Sequence, residues 1–297
     1  MTAYLVAMAI IALIYGLLAL GLNLHWGHTG LINFGHVAFF ALGAYASALL
    51  TLGGAPIAVG AIAATGLAGL AALPIGWVSV RLRSDYLAIV TIGFSEMVRL
   101  VLLNEVWLTR GPMGLLGVPR PFDALPTGAN ELLYLAILTG VVALSFLLVE
   151  RVVRSPFGRV LRAIREDEDA ASSLGKNVVQ FKIKSLVLGA AIAGLAGSFY
   201  AHYINYVVPD QFLPLVTFYV WIAVILGGSG SNVGALLGTG ILMVFLEGTR
   251  FLKDWGVPLD EVRLAALRFV VVGLALVLLV VYRPQGLLGQ RDVTSGR

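Results

Sequence analysis

Three arginines spaced by three, Arg159, Arg162 and Arg165, run directly into four consecutive acids, Glu166, Asp167, Glu168 and Asp169. In a chain with only 12% charged residues, this cluster is where charge could recognise a partner. Few other positions could do chemistry. His25, His28 and His36 fall close together, but a metal site needs a defined ligand set, and no cysteine or neighbouring acid completes one. A packing role, or a hydrogen bond in a solute pathway, competes with the metal reading, and no metal ligand is assigned. Glu96 and Arg99 stand at i and i+3. There they either neutralise each other on one helix face or offer a polar lining to a zwitterionic solute. Glu247 and Arg250 repeat the spacing. No Ser–His–Asp set or pair of carboxylates is arranged for catalysis, so no catalytic residue is expected. The string SLGKN lacks the upstream glycine and the Ser/Thr of a phosphate-binding loop. Any ATP-driven role therefore requires a separate ATPase, and no cofactor is expected.

The elements that carry these residues belong to a chain of 297 residues that is 59% hydrophobic, with mean hydropathy +0.93. A globular domain carries about 25% charged residues, and half that fraction cannot cover a water-facing surface. The chain reads as one all-α, polytopic integral membrane domain over 1–297. Apolar runs long enough to cross a bilayer core, about 20 helical residues, lie at approximately 4–22, 36–53, 56–80, 86–108, 131–150, 185–208, 214–228, 233–251 and 264–282, nine in all. The first reads as a retained membrane helix, because no basic residue precedes it and no cleavage site follows. The 35 glycines suit close helix packing in lipid. Residues 151–184 hold eight Lys/Arg against four acids, a local +4 that equals the net charge of the whole chain. The excess thus belongs to one segment, and no nucleic-acid partner is implied. Arg81, Arg83, that block, Arg283, Arg291 and Arg297 fall on one side of the membrane. By the bias of basic residues to the cytoplasm, the N-terminus is outside and the C-terminus inside. Loops 109–130, 207–212 and 253–263 then lie outside.

Several spans are interrupted. Pro74 breaks the third and Gly93 divides the fourth. The link LNLHWGHTGLINFG, residues 22–35, is too apolar for a free loop and too broken for a helix. Irregular backbone at membrane depth persists only where protein or a water-filled cavity surrounds it, so such segments point to a transport pathway. Residues 27–43 and 227–240 share a Gly-rich, Asn-containing turn that leads into an apolar helix. This is either a transporter repeat or a chance recurrence in a Gly-rich chain. Asn33, Gly35, His36, Gly93, Glu96 and Asn232 are the pathway candidates.

The charged cluster sits in SPFGRVLRAIREDEDAASSLGKNVVQFKIK, residues 155–184. Ser155 and Pro156 form a helix start, the hydroxyl serving the free N–H groups and the proline needing none. Phe157, Val160, Leu161 and Ile164 recur at i, i+3, i+4 and i+7 as one apolar stripe. The acids fit the first turn of a second short helix, and Gly175 supplies its stop. Three readings compete: a helix lying on anionic lipid, a regulatory polybasic stretch that the four acids oppose, and an element docking into a groove of a soluble partner.

The stretch SPFGRVLRAIREDEDAASSLGKN resembles the cytoplasmic coupling segment of branched-chain amino-acid ABC importer permeases. Asp169-Ala170-Ala171 followed by Gly175 is similar to the EAA-x-x-x-G loop of such permeases, with Asp in place of Glu and without the usual I-x-L-P continuation. The resemblance extends to GLNLHWGHTGLINFGHVAFFALGAYASALL, to SDYLAIVTIGFSEMVRLVLLNEVWLTRGPMGLLGVPRP, to LGAAIAGLAGSFYAHY and to VVYRPQGLLG. The second and last of these resemble the M-type rather than the H-type permease. The resemblance implies a permease subunit, not itself an enzyme, in a bacterial or archaeal cytoplasmic membrane. It implies a paralogous H-type permease as partner, two cytoplasmic ATPase subunits, a periplasmic or extracellular binding protein, and branched-chain amino acids as cargo. It assigns ATPase coupling to Phe157, Arg159, Val160, Leu161, Arg162, Ile164, Arg165, Glu166, Asp167, Glu168, Asp169, Ala170, Ala171 and Gly175. Urea and short-chain amide permeases resemble the chain too. A secondary transporter, needing no coupling helix, is the reading from another class.

Overall fold

Long apolar runs became helices, and the computed structural model describes residues 2–79, 84–122 and 126–248, with 270, 273–274, 277, 281–282 and 285–288 beyond them. In order these are α1 (Thr2–His25), α2 (His36–Leu52), α3 (Ile57–Ser79), α4 (Ser84–Asn104), α5 (Val106–Thr109), α6 (Thr127–Arg154), α7 (Pro156–Glu166), α8 (Glu168–Ser173), α9 (Val178–Ile204), α10 (Pro214–Gly227) and α11 (Asn232–Gly248). Among the described residues, six helical stretches are long and apolar enough to cross a membrane, and two shorter apolar helices, His36–Leu52 and Asn232–Leu246, accompany them. The ninth expected span, 264–282, falls largely outside the described residues, as do Arg81, Arg83, Arg250, Arg283, Arg291, Arg297 and the 253–263 loop.

Several span boundaries differ from the sequence expectation, and both ends of α9 show why. α9 begins at Val178, seven residues before the apolar run. Asn177 Oδ1 accepts from Gln180 N (3.2 Å) at its N-terminus, and Lys182 is buried on a face that apolar counting passes over. α9 also ends at Ile204 rather than 208. Asn205 turns the chain with φ +66°, and β2 (Tyr206–Val207) pairs antiparallel with β1 (Leu115–Leu116), Leu115 opposite Val207. This two-residue ladder, in an otherwise helical fold, satisfies backbone groups where two loops meet.

α9 is the central helix, packed along α2, α3 and α1. Small residues allow the approach. A Cβ on Gly43 of α2 would lie 2.1 Å from Gly194 O of α9, so only glycine fits there. α9 also fixes the two ends of the bundle. At its start lie α7 and α8, joined to the turn after α1 by Arg165, and the turn after α10, where Leu287 N and Leu288 N donate to Leu226 O (3.0 Å) and Gly227 O (2.8 Å). At its far end Asn205 Nδ2 donates to Val118 O (3.0 Å), and His202 Nδ1 to Pro119 O (2.8 Å).

Of the link expected over 22–35, residues 26–35 are non-helical while 22–25 extend α1, and α3 and α4 run unbroken through Pro74 and Gly93, where the sequence placed interruptions. The chain leaves α1 at His25 and turns back, and α2 starts beside Leu18, where His36 Nε2 donates to Leu18 O (3.1 Å). Leu18 is seven residues from the end of α1, so α2 begins about 10 Å inside the bundle at 1.5 Å per residue. Side chains meet backbone donors on both sides of its start: Phe34 N, before the helix, donates to Thr91 Oγ1 and Val37 N to Thr217 Oγ1, both 3.0 Å.

Candidate functional site

Ser155 starts α7, but its hydroxyl does not cap the helix. It donates backwards to Val152 O (2.6 Å), and Pro156 at the first helical position leaves one N–H fewer to satisfy. Gly158 sits so close to Val153 O that a Cβ would come within 2.0 Å, which permits the sharp bend from α6 into α7. The apolar stripe is real but faces the protein's own body. Leu161 is fully buried against Leu24, Val149 and Val153, while Ile164 joins Ala171 and Val178. Phe157 stacks on Phe181 with ring centroids 5.3 Å apart, and Val160 is half-buried beside Ile164. The expectation that this stripe fits a groove on a soluble partner is therefore corrected: the chain's own α1, α6, α8 and α9 already cover it. Exposed instead are Arg159, Arg162, Glu166, Asp169 and Ala170.

The acidic run is divided between the two helices, whereas the sequence placed all four acids in the first turn of the second. Glu166 closes α7. Asp167 caps α8, its Oδ1 accepting from Ala170 N (2.9 Å), and Glu168 and Asp169 occupy the first turn. Glu168 Oε2 pairs with Lys182 Nζ at 2.5 Å, tying α8 to α9. Gly175 follows with φ +73° and no neighbour near a Cβ, the left-handed position that ends the helix. Arg165 turns inward, and its Nη1 donates to Gly27 O.

Four of the six pathway candidates lie inside the bundle and position its broken segments. Asn33 is fully buried: its Oδ1 accepts from Gly35 N (2.9 Å), its Nδ2 donates to His25 Nδ1 (3.2 Å), and its O accepts from Trp221 Nε1 (3.1 Å). His25 Nε2 donates to Leu186 O (3.0 Å), and the His25 and His36 rings meet edge to face at 5.2 Å. Gly35 packs on α4 so tightly that a Cβ would sit 1.9 Å from Thr91 O. Asn232 Oδ1 accepts from Asn23 Nδ2 (2.9 Å), and its Nδ2 donates to Glu150 Oε2 (2.7 Å). Gly93 and Glu96 are different. They line an open groove of about 470 Å³ on the outward face of α4, with Met97, Leu100, Val101 and Asn104. Arg99 Nε donates to both Glu96 carboxylate oxygens (3.1 and 3.0 Å), and its Nη1 reaches Asp210 Oδ1 at 3.4 Å. Glu96 and Arg99 thus neutralise one another. The side chain of Glu247, with Arg250, lies outside the described residues.

Sequence reasoning missed the residues that hold the two turns together. Asn23 accepts from Gly230 N (2.9 Å) while donating to Asn232, and Thr29 bonds Ser185 (2.7 Å). A lone Asn in the apolar run of α1 was the available signal, since a buried amide requires partners. Also unforeseen is a cavity of about 340 Å³ at the other end of the bundle, bordered by Arg120, Glu131, Tyr134, His202, Tyr203 and Tyr206.

Residues 4–281 match the sequence pattern of the family described as "Branched-chain amino acid transport system / permease component". The chain is 34% identical to the high-affinity branched-chain amino acid transport system permease protein LivM of Salmonella typhimurium, over 95% of this chain and 69% of that protein. It is 28% identical to the probable branched-chain amino acid transport permease protein LivM of Methanocaldococcus jannaschii, over 95% of this chain and 92% of the relative. Similarity to the permease protein LivH of the same type of system in Escherichia coli is also 28%, over 94% and 92%. No solved structure matches the chain.

Proposed function

The chain belongs to the branched-chain amino acid transport permease family, and from that premise we propose that it passes leucine, isoleucine and valine from an extracytoplasmic binding protein to the cytoplasm, driven by two separate ATPase subunits. The family match along 4–281 carries this reading. The chain itself is a membrane transport subunit rather than an enzyme. Its finer organisation follows from the geometry. A charged pair facing lipid is costly, so the α4 face bearing Glu96 and Arg99 belongs against water or protein. A second, LivH-like permease on that face would leave the pathway between the two subunits, lined by Gly93 and Glu96. Asn33, Gly35, His36 and Asn232 then act behind it, holding the broken helices in place.

The α7–α8 end faces the cytoplasm in this reading, with the N-terminus outside, the C-terminus inside and 264–282 as a ninth span. The ATPases meet the polar surface of Arg159, Arg162, Glu166 and Asp169, and the buried stripe of α7 fixes that surface to the membrane body. The test is uptake into proteoliposomes holding both permeases and the ATPases, with the binding protein supplied outside. ATP-dependent accumulation of labelled leucine supports the assignment. Accumulation of urea but not leucine would replace the cargo, and uptake by this chain alone under an ion gradient would replace the class.

A further inference from the structure

Arg165 belongs to the charged segment but points away from its exposed face. Its Nη1 donates to Gly27 O in the turn after α1. Its backbone and the root of its side chain rest on Gly30, where a Cβ would stand 3.4 Å from Arg165 Cα and 3.6 Å from its Cβ. The same guanidinium lies 3.2 Å from where a Cβ of Gly230 would be, in the turn between α10 and α11. Gly30 and Gly230 have φ of +75° and +81°, so both turns use conformations suited to glycine, which also leaves room for the arginine.

The two turns are fastened to each other as well. Gly230 N and Asn232 both bond Asn23, and a Cβ on Gly27 would fall 2.5 Å from Gly230 N. One turn feeds α2 and the other feeds α11, the two shorter apolar helices of the bundle. A planar guanidinium that bonds one turn at Gly27 and packs against the other at Gly230 touches both, which a lysine point charge does poorly.

We propose that Arg165 is the positioning residue through which movement of α7 and α8 reaches the turns at 27–30 and 228–231 together, and so reaches α2 and α11. The proposal rests on the coupling role given to α7 and α8 above. The segment is built for this. Its buried stripe and the Glu168–Lys182 pair hold α7 and α8 to α6 and α9, so force applied to the outer charged face is delivered inward at a defined point. Coupling of this kind shows as the amount transported per ATP, not as the ability to hydrolyse ATP.

The experiment uses the complete transporter in proteoliposomes, with both permeases, the ATPases and loaded binding protein, and reads leucine uptake and ATP hydrolysis from the same vesicles. In Arg165→Gln, uptake per ATP is expected to fall about tenfold or more, the scale of losing a hydrogen bond to a charged group. Arg165→Lys, which keeps the charge, is expected to assemble and to give an intermediate ratio; it serves if the Gln variant does not assemble. A merely structural role lowers assembly, hydrolysis and uptake together and leaves the ratio at the wild-type value, and that result in an assembled variant overturns the proposal. Wild-type chain that recruits no ATPase overturns the coupling role and this proposal with it. Wild-type coupling with unchanged ratios in both variants removes Arg165 alone.

Discussion

Asn23 serves three groups inside the bundle: Gly230 N, Asn232 Oδ1 and, at 3.5 Å, the His28 ring. Asn23→Leu keeps the bulk and removes the partners, leaving Gly230 N unserved and Asn232 Oδ1 with only the His28 ring at 3.4 Å. Each such group costs about 1–3 kcal/mol, so the detergent-solubilised protein should melt several degrees lower, measured by thermal unfolding. An unchanged melting point would show that water replaces the amide. Two glycines give a paired contrast. Gly35→Ala drives a methyl towards Thr91 O and should destabilise by about 1–3 kcal/mol, as overpacking does. Gly93→Ala meets open space and should leave the melting point unchanged. Uptake should then respond to bulk at Gly93 without loss of assembly, since that residue faces the groove on α4.

Among the elements, α7 was the most legible in sequence and its surroundings the least. Proline after Ser155, the i, i+3, i+4, i+7 stripe, the acidic start of α8 and Gly175 all occupy the places their chemistry suggests. Periodicity reports that a face is covered, not what covers it. The covering residues Leu24, Val149 and Val178 come from three other helices, α1, α6 and α9. The same limit hid the early start of α9, where Lys182 is buried because Glu168 of α8 reaches it. It also hid the β1–β2 ladder, which depends on two loops about ninety residues apart. Ile164→Asp should therefore act on stability rather than on docking. Placing an unpaired carboxylate against Ala171 and Val178 costs about 2–3 kcal/mol, read as a lower melting point of the permease alone. Arg159→Ala with Arg162→Ala should leave that melting point unchanged and weaken co-purification of the ATPases. The reverse pattern would return the stripe to the docking surface.

The whole molecule has two chemically different ends joined by α9. One carries the exposed arginines and acids of α7 and α8. The other carries the loop of β1 and the cavity beside Arg120 and Glu131. The chain has no cysteine, so single introduced thiols report sidedness cleanly. Val118 is only 1% exposed and is unsuitable for labelling, whereas Met113, in the same loop, is 80% exposed. A membrane-impermeant maleimide is predicted to label Met113→Cys in intact cells and Arg162→Cys only after the membrane is opened. Labelling in the opposite order would invert the topology. The membrane class was plain in the composition, whereas the side of each loop is an expectation from charge bias that the labelling tests. The depth at which α2 begins was not legible, because it depends on His36 meeting Leu18 O across a turn.

The measurement that bears most directly on the central claim is leucine accumulation in proteoliposomes assembled with and without the ATPase subunits. Accumulation against a gradient is predicted only when both permeases, the ATPases, ATP and loaded binding protein are present, and none when an ion gradient replaces ATP. Accumulation by the permease alone under an ion gradient, unaffected by ATP, would contradict it.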